Sequence, residues 1–194
     1  MMARAGLTVE RITRAAADLA DEIGFDNVTM SALAKKFGVK DASLYSHVKN
    51  LQELRARVAM LAAAEKTDLI SSAVAGRAGR DALAAFANAW REYALRYPGR
   101  YTATQSPVPP GVVEPDPGAV RGIELTYSML RAYGLTEPDL TDAVRLLRST
   151  FHGYAALEAT GGFAHSRDTT ASWERIIDAL HITLEHWPTS KEQQ

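Results

Sequence analysis

Thr29 to Arg57, TMSALAKKFGVKDASLYSHVKNLQELRAR, is the stretch whose reading decides the fold. Thr29 can cap a short helix whose Met30, Leu33 and Phe37 point one way, and Gly38 supplies the left-handed residue that closes it. Val39 follows as a buried anchor in a tight turn. Lys40 to His47 make a second short helix with Leu44 and Val48 facing inward, and a further helix begins near Leu51. A helix, a Gly-containing turn and a second helix form the outline of a helix-turn-helix, whose second helix enters the major groove of DNA. Lys35, Lys36, Lys40, Ser43, Tyr45, His47 and Lys49 cluster over that turn and second helix.

Charge is distributed in keeping with this outline. The 194-residue chain has a net charge of −1, but residues 1–57 hold nine Lys/Arg against seven Asp/Glu, and residues 58–194 hold thirteen against sixteen. Within 35–57 there are six basic residues and two acidic ones. A local basic surface on a mildly acidic body suits a polyanion better than a membrane. Cysteine is absent, so disulfides and Cys-ligated metals are excluded. The longest apolar stretch, Val58 to Ala64, is far below the roughly 20 residues a membrane span needs. With no signal-peptide pattern in MMARAGLTVERI, the expected location is cytoplasmic.

Outward from the quoted stretch, almost everything has helical period. Thr8 can cap a first helix carrying Ile12, Ala16, Leu19 and Ile23 on one face, with Gly24 at its end. The fourth helix runs from about Leu51 to Val74, until Gly76 and Gly79 break it. A fifth, about Asp81 to Tyr97, carries Leu83, Phe86, Trp90, Ala94 and Tyr97, and Pro98-Gly99 should stop it. Ser106 to Asp116, with Pro107, Pro109, Pro110 and Pro115, reads as the longest loop. Asp116-Pro117 is a cap with proline at the first helical position, opening a helix that ends at Gly134. Another runs from Glu137 or Pro138 to about Thr160, and the last from about Asp168–Thr170 to Trp187-Pro188. No segment alternates with period two, so the fold class is all-α. The expected organisation is a three-helix helix-turn-helix head over residues 1–50 and a larger helical bundle over 51–194.

The last two long helices are apolar on two faces. Leu140, Val144, Leu147, Phe151 and Tyr154 form one stripe, beside Ala143, Leu146, Gly153 and Leu157; Trp173, Ile177, Leu180, Leu184 and Trp187 lie beside Ile176 and Thr183. A helix apolar on two faces is buried on two sides. Either both are core helices of a monomer, or they build a homodimer as a four-helix bundle with two helices from each chain. The dimer is expected, because helix-turn-helix readers commonly act as two-fold dimers.

In residues 8–57 the chain resembles the TetR/AcrR transcriptional regulators. The resemblance rests on IGFDNVTM (Ile23 to Met30), SALAKKFGV (Ser31 to Val39) and ASLYSHVKNLQEL (Ala42 to Leu54). The family pattern opens with G-[FY]-x-x-[TV]-[TS], turns through A-x-x-x-G-V and ends with L-Y-x-[HY]-F-x-x-K-x-x-L. Val48 stands where that last part usually has Phe, and Leu51 where a Lys is frequent. A further stretch, AVRLLRSTFHGYAALEATGGF (Ala143 to Phe163), resembles the subgroup with a Trp-His-Gly signature in its eighth helix, with Phe151 in place of the Trp. The resemblance implies a ligand-responsive, sequence-specific transcriptional regulator, a repressor by family expectation. It would act as a homodimer on a pseudo-palindromic DNA operator and be released by a small-molecule effector.

Phosphates are held by cations, hydroxyls and helix N-termini, and base edges by side chains near the start of the recognition helix. Thr29 can cap its helix and present that helix's N-terminus to a phosphate. By family analogy Tyr45 and His47 donate to phosphates on either side of the groove, and Lys49 adds charge nearby. Lys40, Asp41, Ala42 and Ser43 occupy the base-facing positions. Asp41 either accepts from a cytosine amine or caps its helix, and capping is the preferred reading.

For the effector, an apolar pocket with a few polar groups is expected from Trp90, Tyr93, Tyr97, Tyr127, Leu130, Leu147, Phe151 and Tyr154. A plain aromatic core is the competing reading of the same residues. The rival functions are a small-molecule-binding all-α protein or an enzyme with a vestigial head, and a head that binds protein. No catalytic motif is visible, and His47, His152, His165, His181 and His186 are scattered. His181 and Glu185, four apart, read as a solvated or capping pair before a metal site. No catalytic residue, metal or cofactor is therefore expected.

Overall fold

The computed structural model describes residues 6–113 and 117–188. Among them are nine α-helices, one 3₁₀ turn and no strand: α1 (Val9–Ile23), the 3₁₀ turn (Phe25–Asn27), α2 (Met30–Phe37), α3 (Asp41–Tyr45), α4 (Leu51–Val74), α5 (Gly79–Arg96), α6 (Pro98–Gln105), α7 (Pro117–Arg131), α8 (Asp139–Ala159) and α9 (Thr169–Glu185). The fold is all-α, as the periodicity requires. Pro115 and Asp116, the expected end of the long loop and cap of α7, lie outside the described residues. Two compact units form, one within Met1–Glu65 and Arg96–Ala119, the other within Lys66–Leu95 and Val120–Gln194. The first unit therefore takes in the first part of α4 and all of α6, which a division after residue 50 leaves elsewhere.

In the first unit the helix ends follow the local chemistry. The Thr8 hydroxyl accepts from the Arg11 N–H at 3.2 Å and the Thr29 hydroxyl from the Ala32 N–H at 3.1 Å, each satisfying an orphan donor of a first turn. Gly38 ends α2 at φ 66°, a left-handed conformation that costs glycine least. The fixed turn lets α1, α2, α3 and the start of α4 share one core of Ile12, Ala16, Leu19, Phe25, Leu33, Leu44, Val48, Leu54 and Val58. Val39 is half-buried against it, in keeping with its expected anchoring role.

Helix α6 corrects the sequence reading. Pro98 does end α5, but it also starts a new helix as its first residue, where its missing N–H costs nothing. What holds α6 on α1 is close approach and charge. A Cβ on Gly99 would stand 2.0 Å from the Ala20 carbonyl oxygen, so only glycine lets the two backbones meet. Next to it, Arg100 is buried, and its backbone N–H and Nη1 each reach the Asp21 carboxylate at 2.9 Å. It also pairs with Asp18, and with Glu65 of α4 at 3.4 Å. Burial pushes the Asp21 carboxyl up from its ordinary value, with the Arg100 contacts opposing.

The second unit is built on rings. On α5, Leu83, Phe86, Trp90 and Tyr93 are buried; α8 buries Ala143, Leu147, Phe151 and Tyr154; α9 buries Trp173, Ile177, Leu180 and Leu184. The Trp173 indole N–H donates to Asn88 at 2.8 Å, satisfying the one polar atom of a fully enclosed ring. Arg91 of α5 clasps Glu158 of α8 with two nitrogens. Glu158 lies below the usual carboxylate range because of the Arg91 hydrogen bonds, against the opposing effect of burial. The second apolar stripe of α8 is enclosed only at Ala143: Leu157 is 47% exposed and Gly153 half-buried. On α9, Ile182 is 57% exposed.

Candidate functional site

The head presents one short helix, fastened from below. Leu44 and Val48 are enclosed while Tyr45, between them, is 50% exposed. The alternative in which Tyr45 packs in the interior is thereby removed. Thr29, Lys40, Ala42 and Lys49 are exposed, and Asp41, Ser43 and His47 are half-buried. All eight residues proposed for nucleic-acid contact are thus exposed or half-buried, within the span from the N-terminus of α2 to that of α4.

Asp41 departs from the capping expectation. Lys40 is the N-cap of α3 by backbone conformation, with no side-chain cap bond, and Asp41 is the first helical residue. Its carboxylate accepts from the Ser31 hydroxyl of α2 at 2.5 Å. The acid therefore ties the two helices of the motif together, which explains an anionic residue on a surface otherwise rich in cations.

Not all of the local cations are available. Lys36 pairs with Glu22 of α1 at 2.7 Å, and Arg55 donates to the Asp26 and Val28 carbonyls at 2.8 and 3.3 Å. Arg57 holds Glu53 through two nitrogens at 2.9 and 2.6 Å. Lys35, Lys40 and Lys49 remain exposed beside α3.

Glu53 is an organiser that the sequence reading missed. It is 6% exposed, and it accepts the Lys49 backbone N–H at 2.6 Å, while its own N–H donates to the Asn50 side chain at 2.8 Å. Burial would raise its carboxyl, but the Lys49 N–H and Arg57 outweigh that and hold it below the usual carboxylate range. The signal was present: Asn50-Leu51-Gln52-Glu53 has the spacing of a capping box at the start of a helix. It fixes the segment carrying His47 and Lys49 against α4.

Of the residues proposed for the effector, Trp90, Tyr93, Leu130, Leu147, Phe151 and Tyr154 are buried in the second unit and Tyr127 is half-buried there. Ring centroids lie 6.0 Å apart for Phe86–Trp90 and Trp90–Phe151, and 5.5 Å for Phe151–Trp173. Tyr154 stands between Trp173 and Phe163 at 4.8 and 4.7 Å, and its hydroxyl donates to the Thr169 carbonyl. Tyr97 belongs to the first unit, where Arg100 lies over its ring at 4.9 Å. Sequence reading missed Lys66 of α4, whose ammonium lies 4.0 Å from the centre of the Trp90 ring. A single lysine after an alanine-rich run carries no pattern that would have singled it out.

His181 has a partner on each ring nitrogen: the Tyr133 hydroxyl at 3.0 Å and Glu185 at 3.4 Å. Burial, and next Glu185, push the Tyr133 hydroxyl up to about 12, so it stays protonated and can donate to the imidazole. Among the described residues no group of three or more His, Cys, Asp or Glu could hold a metal ion, and no helix is long and apolar enough to cross a membrane.

Comparison with known proteins bears on both units. Residues 12–58 match the family model described as bacterial regulatory proteins, tetR family, and residues 83–180 the one described as tetracyclin repressor-like, C-terminal domain. The chain is 36% identical over 188 residues to the uncharacterized HTH-type transcriptional regulator Rv0681 of Mycobacterium tuberculosis, covering 95% of this chain and 85% of that protein. It is 32% identical over 184 residues to YobS of Bacillus subtilis, another HTH-type transcriptional regulator, covering 95% and 92%. Among solved structures, Streptomyces coelicolor ActR in complex with (S)-DNPA superposes with a TM-score of 0.69 at 22% identity, over 95% of this chain and all (100%) of that one. At that identity the likeness concerns the fold.

Proposed function

The chain belongs to the TetR family of transcriptional regulators, and on that premise we propose that it is a homodimeric repressor that leaves its operator when a small molecule binds the second unit. Residues 1–50 form the DNA-reading part and 51–194 the effector-binding and dimerising part. Tyr45 and His47 donate to phosphates, Lys49 adds charge, and the N-terminus of α2 at Thr29 meets a further phosphate. Ala42 offers a methyl to a thymine, Ser43 a two-way hydrogen bond, and Lys40 a guanine or phosphate contact. Asp41, engaged with Ser31, acts at that surface by holding α3 at its angle to α2.

The observation that carries this reading is the half-exposed Tyr45 on a helix whose flanking Leu44 and Val48 are locked into the head. An aromatic side chain is turned outward on a segment flanked by the exposed Lys40 and Lys49, which suits a phosphate backbone. Leu157, Gly153 and Ile182 support the dimer, since they leave small and apolar surface on the outer faces of α8 and α9. The Phe151-His152-Gly153 run stands where the Trp-His-Gly subgroup carries its signature. In the second unit, Trp90, Tyr93, Tyr127, Leu130, Leu147, Phe151 and Tyr154 receive the effector. ActR, solved with (S)-DNPA, offers a precedent for such a ligand in this fold.

Effector binding shifts a population between two arrangements of the paired recognition helices. The DNA-competent one spaces them by roughly 34–36 Å, one turn of the duplex. Selection of bound sequences from random duplex, followed by titration of the winner against salt, tests the reading. A pseudo-palindromic consensus and a steep linear fall of log affinity with log salt are expected. Failure to retain any duplex at low ionic strength would overturn it.

A further inference from the structure

A cavity of about 380 Å³ opens in the first unit, where the 3₁₀ turn, the first turns of α4 and the segment after α6 meet. Phe25, Leu51, Ala56, Ala59 and Val108 give it apolar walls, and Arg55 is the cation among them. Small-molecule sites typically enclose about 300–1,000 Å³, mostly apolar with one or two placed polar groups. None of the residues proposed for DNA contact lines this cavity, and none of the aromatic residues of the second unit does.

Arg55 is held in an unusual way. Among the described residues four arginines are not exposed: Arg55, Arg57, Arg91 and Arg100. Arg57 pairs with Glu53, Arg91 with Glu158, and Arg100 with Asp18, Asp21 and Glu65. Arg55 instead donates through Nη2 to the Asp26 and Val28 carbonyls, lies 5.7 Å from the centre of the Phe25 ring, and keeps an enclosed Nε without an acceptor. Asp26 also lines the cavity, but it is exposed and meets Arg55 through its carbonyl. Carbonyls orient a guanidinium without neutralising it, and a half-buried cation gains most from a full negative charge. The planar fork of arginine matches an acid group in shape as well as sign. We propose that this cavity is a second small-molecule site, in the DNA-reading unit, and that it takes a small carboxylic acid with an apolar body. The carboxylate meets Arg55, and the body lies among Phe25, Leu51 and Val108. The Asp26 and Val28 carbonyls just precede Thr29, so the site adjoins the entry to α2. It is independent of the effector site proposed for the second unit.

Two pairs of probes test the proposal on the full-length protein: benzoate and 2-naphthoate, each against its uncharged primary amide. Calorimetric titration gives the affinities. The Arg55 Nε–H resonance of isotope-labelled protein, assigned through bonds from its own backbone, reports the place of binding. At least one carboxylate should move that resonance saturably and bind roughly tenfold more tightly than its amide. Arg55→Gln should remove the preference for the acid. Val108→Trp, which fills the cavity and keeps the charge, should weaken acid and amide alike by severalfold, and it keeps the test open should Arg55→Gln fail to fold. No movement at Arg55, equal affinity for acid and amide, or carboxylate binding unchanged in either folded variant would overturn the proposal. Movements confined to resonances of the second unit would place the probe in the effector site and overturn it too.

Discussion

Replacing Gly99 by alanine should open the contact between α6 and α1. The added Cβ would meet the Ala20 carbonyl oxygen at 2.0 Å, its carbon at 2.1 Å and the Asp21 nitrogen at 2.5 Å, all backbone atoms that no rotamer change can move. An ordinary carbon–oxygen contact needs about 3.3 Å, so the helices must part by roughly 1.3 Å. Overpacking of this kind costs about 1–3 kcal/mol. The same retreat stretches the Arg100 N–H to Asp21 bond, now 2.9 Å, past hydrogen-bonding range. Loss of a charge-assisted bond adds about 1.5–3 kcal/mol. Together these give a destabilisation of about 2.5–6 kcal/mol, or a drop in midpoint on the order of 10 °C for a chain of this size. Gly99 does not occupy the left-handed region, so the loss is steric alone. Urea unfolding followed by circular dichroism, wild type against Gly99→Ala, measures it. A difference below about 1 kcal/mol would refute the close-approach account of α6.

Other perturbations address the remaining parts. Lys66 binds its proton less tightly folded, at about 8, than unfolded, at 10.5, so wild-type stability should rise relative to Lys66→Met as pH climbs through that window, by up to about 3 kcal/mol. Parallel stability curves for the two proteins from pH 7 to 10.5 would contradict the buried-ammonium reading. Tyr45→Phe should weaken all duplexes alike, by roughly tenfold for each lost contact, whereas Ser43→Ala should relax discrimination at one base position. Sequence-selective loss for Tyr45→Phe in a binding assay across operator variants would contradict the phosphate assignment. Ile182→Glu, at a side chain 57% exposed, should leave the protomer's melting intact but yield monomers in sedimentation, and a dimer of unchanged strength would refute α9 as the interface.

Local chemistry makes much of the head legible along the chain itself. Thr8, Thr29, Gly24 and Gly38 act through bonds and dihedrals within a few residues of themselves, so their roles follow from their neighbours in sequence. The spacing of Leu44 and Val48 around Tyr45 likewise determines which side of a short helix is buried and which faces out. Tertiary packing decided what depends on partners far away in sequence. Pro98 reads equally as a stop or a start, and α6 exists because Gly99 and Arg100 find Ala20, Asp18 and Asp21 about eighty residues earlier. Asp41 serves Ser31 across the turn rather than its own helix end, and Lys66 meets the Trp90 ring of another helix. Caps and turns are satisfied by neighbours along the chain, whereas a buried charge is defined by whichever elements fold around it.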